Sequence, residues 1–378
     1  MRFECDRKDF ADALRIVGRA NTGKQGGVFQ GIHIKAKLEN AMPLEVQATN
    51  GEMSIATTLS ASCVEECGEV HMPKGLLPEI IGRMGGHELE FRHNETEGVA
   101  HIRSGAAKFS ICTQNVAGYP ETPRATDADG FGIKQSIFSD MARKTAFACS
   151  KDDTRPVFTG CHFHIKDGTA TMEATNTHRL AVKTCEVSGL ADMQGIIIPV
   201  TAVQEAARIL KDTEAGTDPY VFRVKGRSGS NMIGFDFGYT RMTSRLIAGQ
   251  FPDIERVIPK GAKTTATMVT EEFIEVLERI SVIAKSTDYH IVSLEFTNGQ
   301  VRLASTSQAV GNAEETMRAR IEGEDVRIAF NAHYLLEALK VLDGERFTMS
   351  MSGSLGTCKI TDDDPGFLYA VTPMRTRE

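Results

Sequence analysis

Apolar residues recur at helical spacing in six places along the chain, with short alternating stretches between them. Phe10, Leu14 and Val17 share one helical face, as do Phe138, Met141 and Thr145, and again Phe273, Leu277 and Ile280. Downstream of each segment a strand ends in a similar string: Ala48-Thr49-Asn50, Ala174-Thr175-Asn176 and Ala304-Ser305-Thr306, spaced 126 and 130 residues apart. A Pro or Asn placed 25, 25 and 27 residues after each Ala then opens a second helix. Met72-Pro73-Lys74 leads to Leu77, Ile80 and Ile81; Ile198-Pro199-Val200 to Val203, Ala206 and Leu210; Phe330-Asn331-Ala332 to Leu335, Leu339 and Leu342. Pro78 must sit in the first turn of its helix, because deeper it would remove a hydrogen bond.

Gly118-Tyr119-Pro120-Glu121 and Gln250-Phe251-Pro252-Asp253 mark a further correspondence between the first two copies. In the third copy the alternation of Val301, Leu303 and Ser305 runs one residue out of phase with Leu44, Val46 and Ala48. Stretches such as Val157–Ile165 alternate between turn signals such as Lys166-Asp167-Gly168 and Thr297-Asn298-Gly299. The chain therefore reads as three repeats of one α+β domain, each with two helices on antiparallel sheets. Polar, turn-rich segments near Thr126–Asp129 and Ile258–Lys263 set the boundaries, giving domains at 1–127, 128–258 and 259–378.

Composition narrows the class without changing this plan. The 378 residues are 41% hydrophobic and 25% charged, ordinary for a globular protein. The start, Met1-Arg2-Phe3-Glu4-Cys5-Asp6, is charged, and no run reaches the roughly 20 apolar residues of a membrane helix. A cytoplasmic protein with no membrane partner is expected. Eight cysteines lie at spacings that suit neither a disulfide framework nor zinc, so free thiols are expected. A net charge of −7 disfavours tight, charge-driven binding to nucleic acid.

Apparent catalytic motifs fail on inspection. Gly18-Arg19-Ala20-Asn21-Thr22-Gly23-Lys24-Gln25 approaches a phosphate-binding loop, but Gln25 replaces the hydroxyl that would hold magnesium, and the string trails a helix. Asp362-Asp363-Asp364-Pro365-Gly366 reads as a solvated turn. His178 could be a base, yet no nucleophile accompanies it. No catalytic residue, metal site or cofactor is expected, and a phosphate-loop enzyme is the weaker alternative.

At Ala174-Thr175-Asn176-Thr177-His178-Arg179-Leu180-Ala181 the chain resembles the bacterial sliding clamp, the β subunit of DNA polymerase III, which carries a Thr-Asp-Gly-His-Arg-Leu-like string there. Gly249-Gln250-Phe251-Pro252-Asp253 is similar to the family's Gly-x-Phe-Pro-Asp segment, and Val371-Thr372-Pro373-Met374-Arg375 to its Met-Pro-Met-Arg tail. The likeness spans all three domains. It departs at Asn176-Thr177 (usually Asp-Gly), at Pro156-Val157 and Val200-Thr201 (often aromatic and basic), and in a tail that continues as Thr376-Arg377-Glu378.

The resemblance implies three DNA-clamp domains per chain, a head-to-tail homodimer closed into a ring, and sequence-independent enclosure of double-stranded DNA. It also implies a cleft for linear motifs of the DNA polymerase catalytic subunit, the clamp loader and other proteins. Mapped on this chain, the cleft would use Phe158, Thr175, Thr177, His178, Arg179, Leu180, Pro252, Arg256, Val257, Leu355, Thr357, Val371, Pro373, Met374 and Arg375. DNA would face Arg15, Arg19, Lys24, Arg83, Arg143, Lys144, Lys151 and Arg208. The dimer contact would use Lys108, Phe109 and Ile111 against Ile283, with Glu314 or Glu315 as an ion-pair partner for Lys108. The six proposed lining helices sum to +3 within a chain of −7, so they repel phosphate less than the rest of the surface does. The alternative to a clamp is a repeat-built peptide-binding scaffold that does not encircle DNA.

Overall fold

The computed structural model describes the chain except residues 22–30, 39–40, 74, 115–117, 120–121, 123–129, 213–217, 226–230, 288 and 376–378. Lys24, the first domain boundary and the last three tail residues therefore lie outside the described residues. Helices form where the periodicity predicts them: α1 (Arg7–Gly18), α2 (Leu76–Arg83), α3 (Gln135–Thr145), α4 (Val200–Asp212), α5 (Thr270–Ala284) and α6 (Ala332–Leu339). Local chemistry starts several of them. The Asp6 carboxylate accepts from the N–H groups of Lys8 (2.7 Å) and Asp9 (2.9 Å) at the head of α1, and the Asn331 side chain does the same for His333 at α6. Glu271 and Glu272 occupy the positive first turn of α5. The α6 helix stops at Leu339, short of Leu342, which the sequence pattern had included.

By contact, the chain forms two compact units. Residues 1–135 and 204–246 make one. It holds a five-stranded sheet in the order Cys63–Glu66, Arg2–Asp6, Glu88–Asn94, Val99–Ser104, Ala107–Cys112. Its second sheet has eight strands, ordered Gly130–Gly132, Tyr220–Lys225, Asn231–Asp236, Thr240–Arg245, Met53–Leu59, Leu44–Thr49, Gly31–Ala36, Gly68–Pro73. Phe3 and Phe91 stack at 5.0 Å under Phe10 of α1, all fully buried.

Residues 136–203 and 247–378 make the other unit. Its nine-stranded sheet runs Met193–Pro199, Gly160–Lys166, Thr169–Thr175, Arg179–Glu186, Phe367–Val371, Cys358–Thr361, Arg346–Met351, Thr264–Val269, Arg320–Gly323. Its four-stranded sheet runs Gly311–Arg318, Gln300–Ser307, Ile291–Thr297, Val326–Asn331.

These orders contain one motif three times. Each repeat has four strands ordered third, second, first, fourth, and a separate three-stranded meander beside its opening strand; in the first and third repeats a short extra strand, Cys63–Glu66 or Arg320–Gly323, comes before the fourth and pairs with the opening strand. Within each unit, the third strand of one repeat pairs antiparallel with the last meander strand of the next: Met53–Leu59 with Thr240–Arg245, and Arg179–Glu186 with Phe367–Val371.

The acidic turn near the C-terminus is not simply solvated. Lys144, expected to face DNA, is instead buried, and this is a correction. Its ammonium bonds Asp364 and lies 2.8 Å from Asp343 and 3.9 Å from Asp140, while Lys183 reaches the same Asp364 at 2.5 Å. Burial pushes the Asp364 carboxyl up, but the bonds from Lys144 and Lys183 outweigh it and hold it down to about 2. A folded-state value below the unfolded one, roughly 3.9, stabilises fully above pH ~4 and is lost as pH falls through about 2. Asp364→Asn should therefore cost about 2–3 kcal/mol at neutral pH. In urea unfolding, its gap from wild type should close between pH 4 and 2.

Candidate functional site

The strand registers gather most of the expected cleft residues at one end of the nine-stranded sheet. Gly160, two residues after Phe158, starts one strand; Thr175 ends the next; Arg179 and Leu180 start the third. Arg179 is paired with Val371, and Val371 with Cys358, directly after Thr357. Leu355 lies on the loop that joins Arg346–Met351 to Cys358–Thr361 at this same end. Beyond Val371 the chain is held by backbone: Thr372 N–H and Oγ1 both donate to His178 O (2.9 and 3.1 Å), and Met374 N–H donates to Ala329 O at 2.7 Å. Pro252, Arg256 and Val257 follow Phe251, whose ring stacks on His162 at 4.8 Å and meets Phe158 edge-on at 6.4 Å.

Side chains at this end fall into two groups. Thr175, Leu180 and Val371 are buried and form its floor. Thr177, His178, Pro252, Arg256 and Arg375 are exposed, with Phe158, Thr357, Pro373 and Met374 half-buried among them. Val257 (51% exposed) and Leu355 (69%) are large apolar groups left in water, which an occupant could cover.

Arg179 departs from expectation. Its guanidinium bonds the Glu337 carboxylate and the Phe147 carbonyl, lies 4.5 Å from the Tyr334 ring centre, and is buried. It braces the floor from behind. Glu337, Phe147, Tyr334 and Thr372 were not foreseen, since nothing in the sequence ties Arg179 to a carboxylate 158 residues away.

The turn carrying Thr177 and His178 has a twin in the first repeat. Asn176 Oδ1 accepts from His178 N–H and Arg179 N–H, both at 3.0 Å; Asn50 Oδ1 accepts from Glu52 and Met53 N–H at 3.0 and 2.8 Å. Thr175 Oγ1 and Thr49 Oγ1 each accept from the residue two positions on at 3.1 Å. The Thr-Asn pair is thus a side-chain-built turn. It demands positive φ at its next residue: Gly51 (86°) in one repeat, Thr177 (76°) in the other. In the third repeat Ser305 and Thr306 lie within the strand, so there the matching string marks no turn.

Three family models match in order: the DNA polymerase III beta subunit N-terminal domain at residues 1–123, the central domain at 132–253 and the C-terminal domain at 255–375. The chain belongs to the DNA polymerase III β-subunit family. The beta sliding clamp of Halalkalibacterium halodurans is 29% identical over all of both chains, and that of Staphylococcus epidermidis 28% over 92% of each. Among solved structures, a Bartonella birtlesii sliding clamp bound to griselimycin is 27% identical and covers both chains fully with a TM-score of 0.90. The Bacillus subtilis clamp, at 24%, gives 0.91 over the full chains. Membership supports a clamp over a free-standing peptide scaffold.

The remaining mapped residues of this clamp subunit lie elsewhere. Arg15 pairs with Asp12 and Asp212, Arg19 with Asp212 (2.6 Å), Arg83 with Glu79, Arg143 with Asp140 and Asp343, and Arg208 with Glu205. Lys151 is exposed. An open cleft between α1 and α2 is lined by Arg7, Lys8, Asp12, Arg15 and Glu79. Lys108 and Phe109 (40% exposed) lie on the terminal strand Ala107–Cys112, but Ile111 is already buried within its own sheet. Ile283 is half-buried on α5. Glu314 and Glu315 are bound to Arg302 (2.6 Å) and Arg279 (2.7 Å), so Lys108 could only share them. No described helix is long and apolar enough to cross a membrane.

A β-branched residue held at positive φ is strained by roughly 1–3 kcal/mol. Thr177→Gly should raise unfolding stability by about 1 kcal/mol, the added backbone freedom of Gly offsetting part of the relief. Gly51→Thr should lower it by a similar amount. Denaturant titration of the two variants checks both signs.

Proposed function

We propose that two copies of this chain close head-to-tail into a ring around duplex DNA and tether DNA-processing proteins through the cleft at the end of the nine-stranded sheet. The observation that carries this reading is the strand order. Both junctions within the chain join a third strand to the last meander strand of the next repeat. One unused pair of the same kind remains: Gly311–Arg318 and Ala107–Cys112, each terminal in its sheet. Joining them between two copies applies the same rule and leaves none of these edges open. Phe109 then loses its exposure against the partner's strand, beside α5 and its Ile283.

DNA binding in such a ring is topological. The cations mapped as DNA-facing are mostly neutralised by neighbouring carboxylates, which suits contacts weak enough to allow sliding. A protein relying on 6–10 phosphate contacts loses about a thousandfold or more in affinity between 50 and 200 mM salt. The ring, loaded on a nicked circle, should survive that change and leave when the circle is cut. Phe109→Asp with Ile283→Asp should yield monomers that are retained on neither form. Equal retention of wild type on circular and linear DNA would sink the proposal.

The cleft would receive short linear motifs of the DNA polymerase catalytic subunit, the clamp loader and other clamp-binding proteins. A Leu or Phe anchor would cover Val257 and Leu355 and pack on Met374, whose flexible thioether adapts to different sequences. Deleting residues 372–378 should abolish binding of a labelled clamp-motif peptide while leaving the dimer intact. Met374→Ala alone should weaken it by about 1–2 kcal/mol. Fluorescence anisotropy with the three proteins reads both effects, and undiminished binding by the truncated dimer would refute this site.

A further inference from the structure

On the strand Gly160–Lys166, His162 and His164 are two residues apart and so point to the same face of the sheet. Glu173, on the neighbouring strand, stands directly opposite His162 in the antiparallel register. One potential ligand atom from each of the three lies within 4.8 Å of the others. His162 Nδ1 is already 2.9 Å from Glu173 Oε2. The geometry points to a binding site for one divalent transition-metal ion of the zinc class, held by His162, His164 and Glu173, with solvent in the fourth position.

The donor set suits such an ion. Two imidazoles and a carboxylate make up a familiar three-ligand zinc arrangement, and imidazole selects zinc, nickel or cobalt over magnesium or calcium. Around a tetrahedral ion the ligand atoms stand roughly 3.4 Å apart, so the His164 and Glu173 side chains would have to close in around His162.

Several features prepare the site. His164 Nδ1 is buried without a hydrogen-bond partner. His162 is locked by its stack against Phe251, 4.8 Å away with planes 11° apart. Across the sheet, Gly195 supplies the room this ring needs, since a Cβ there would fall 2.1 Å from His162 Nε2. Both histidines are half-buried, and Glu173 is buried.

Three exposed thiols, Cys63, Cys67 and Cys112, could also take zinc, so the test uses the full-length chain with these changed to Ser. Calorimetric titration with Zn²⁺ should give one ion per chain, reversed by a chelator. Co²⁺ should give the strong visible absorption of a tetrahedral centre. His164→Gln and Glu173→Gln, which keep side-chain size, should each weaken Zn²⁺ binding at least tenfold and abolish any rise in Tm produced by the metal. A Ser-substituted chain that takes up no stoichiometric zinc overturns the site whether or not the variants fold. So does uptake that both variants leave unchanged, or an octahedral Co²⁺ spectrum.

Discussion

A strand at the end of a sheet leaves half of its backbone donors and acceptors without a protein partner, and the organisation of this chain follows from how its repeats meet that constraint. One repeat cannot close its own sheets, because its four-strand set and its meander each end in an open strand. Two adjoining repeats solve the problem pairwise, the third strand of one receiving the last meander strand of the next. The outcome is an eight-stranded and a nine-stranded sheet that each run across a repeat boundary. This is also why compact units divide the chain inside the central repeat and not between repeats. Backbone pairing asks little of side-chain identity. That lets repeats with little sequence in common share one arrangement, and lets a family keep it at 27–29% identity.

Much of this plan was readable from residues, for reasons that differ by element. The helices were legible because each buries one stripe against a sheet, which forces apolar spacing near 3.6; Phe10, Leu14 and Val17 are all fully buried. The Thr-Asn strings were legible as repeat markers because a side-chain-built turn needs those atoms in that order. Ala304-Ser305-Thr306 lacks the Asn, and there the likeness was one of composition alone: Ser305 spends its hydroxyl on Ile291 O inside the sheet. What stayed hidden was every interaction between side chains far apart in sequence. Lys144 and Arg179 look like surface cations in a string of letters. Only the fold brings Asp343 and Asp364 to the first and Glu337 to the second.

Those two residues also show why counting charges along helices misleads. A charge count over α3 assigns Lys144 to a DNA-facing surface, yet its ammonium serves a network with Lys183 and three carboxylates. Charge on the remaining helices is mostly met by acids one turn away, as in Arg83–Glu79 and Arg208–Glu205. Each such pair weakens the field felt by a phosphate more than a residue count would suggest. Enclosure tolerates this. A protein that held DNA by ion pairs alone would not, and for a ring that must move along its track strong pairing would act as a brake.

The cleft combines a fixed frame with adjustable fittings. Its floor is backbone register: Arg179 opposite Val371, Thr175 opposite Leu180, Thr372 bonded to His178. None of these can shift without slipping a strand and turning its side chains to the other face. The apolar groups left open to water are the ones register does not fix, namely Leu355 on a loop, Val257 beyond a short helical turn, and half-buried Met374 on a segment tied at its backbone. A rigid floor limits the entropy lost when a site is filled, while walls that register does not fix suit a site meant for several anchors. Of the departures from the family, Thr177 in place of Gly is exposed at this end of the sheet, while its neighbour Asn176 builds the turn that carries it.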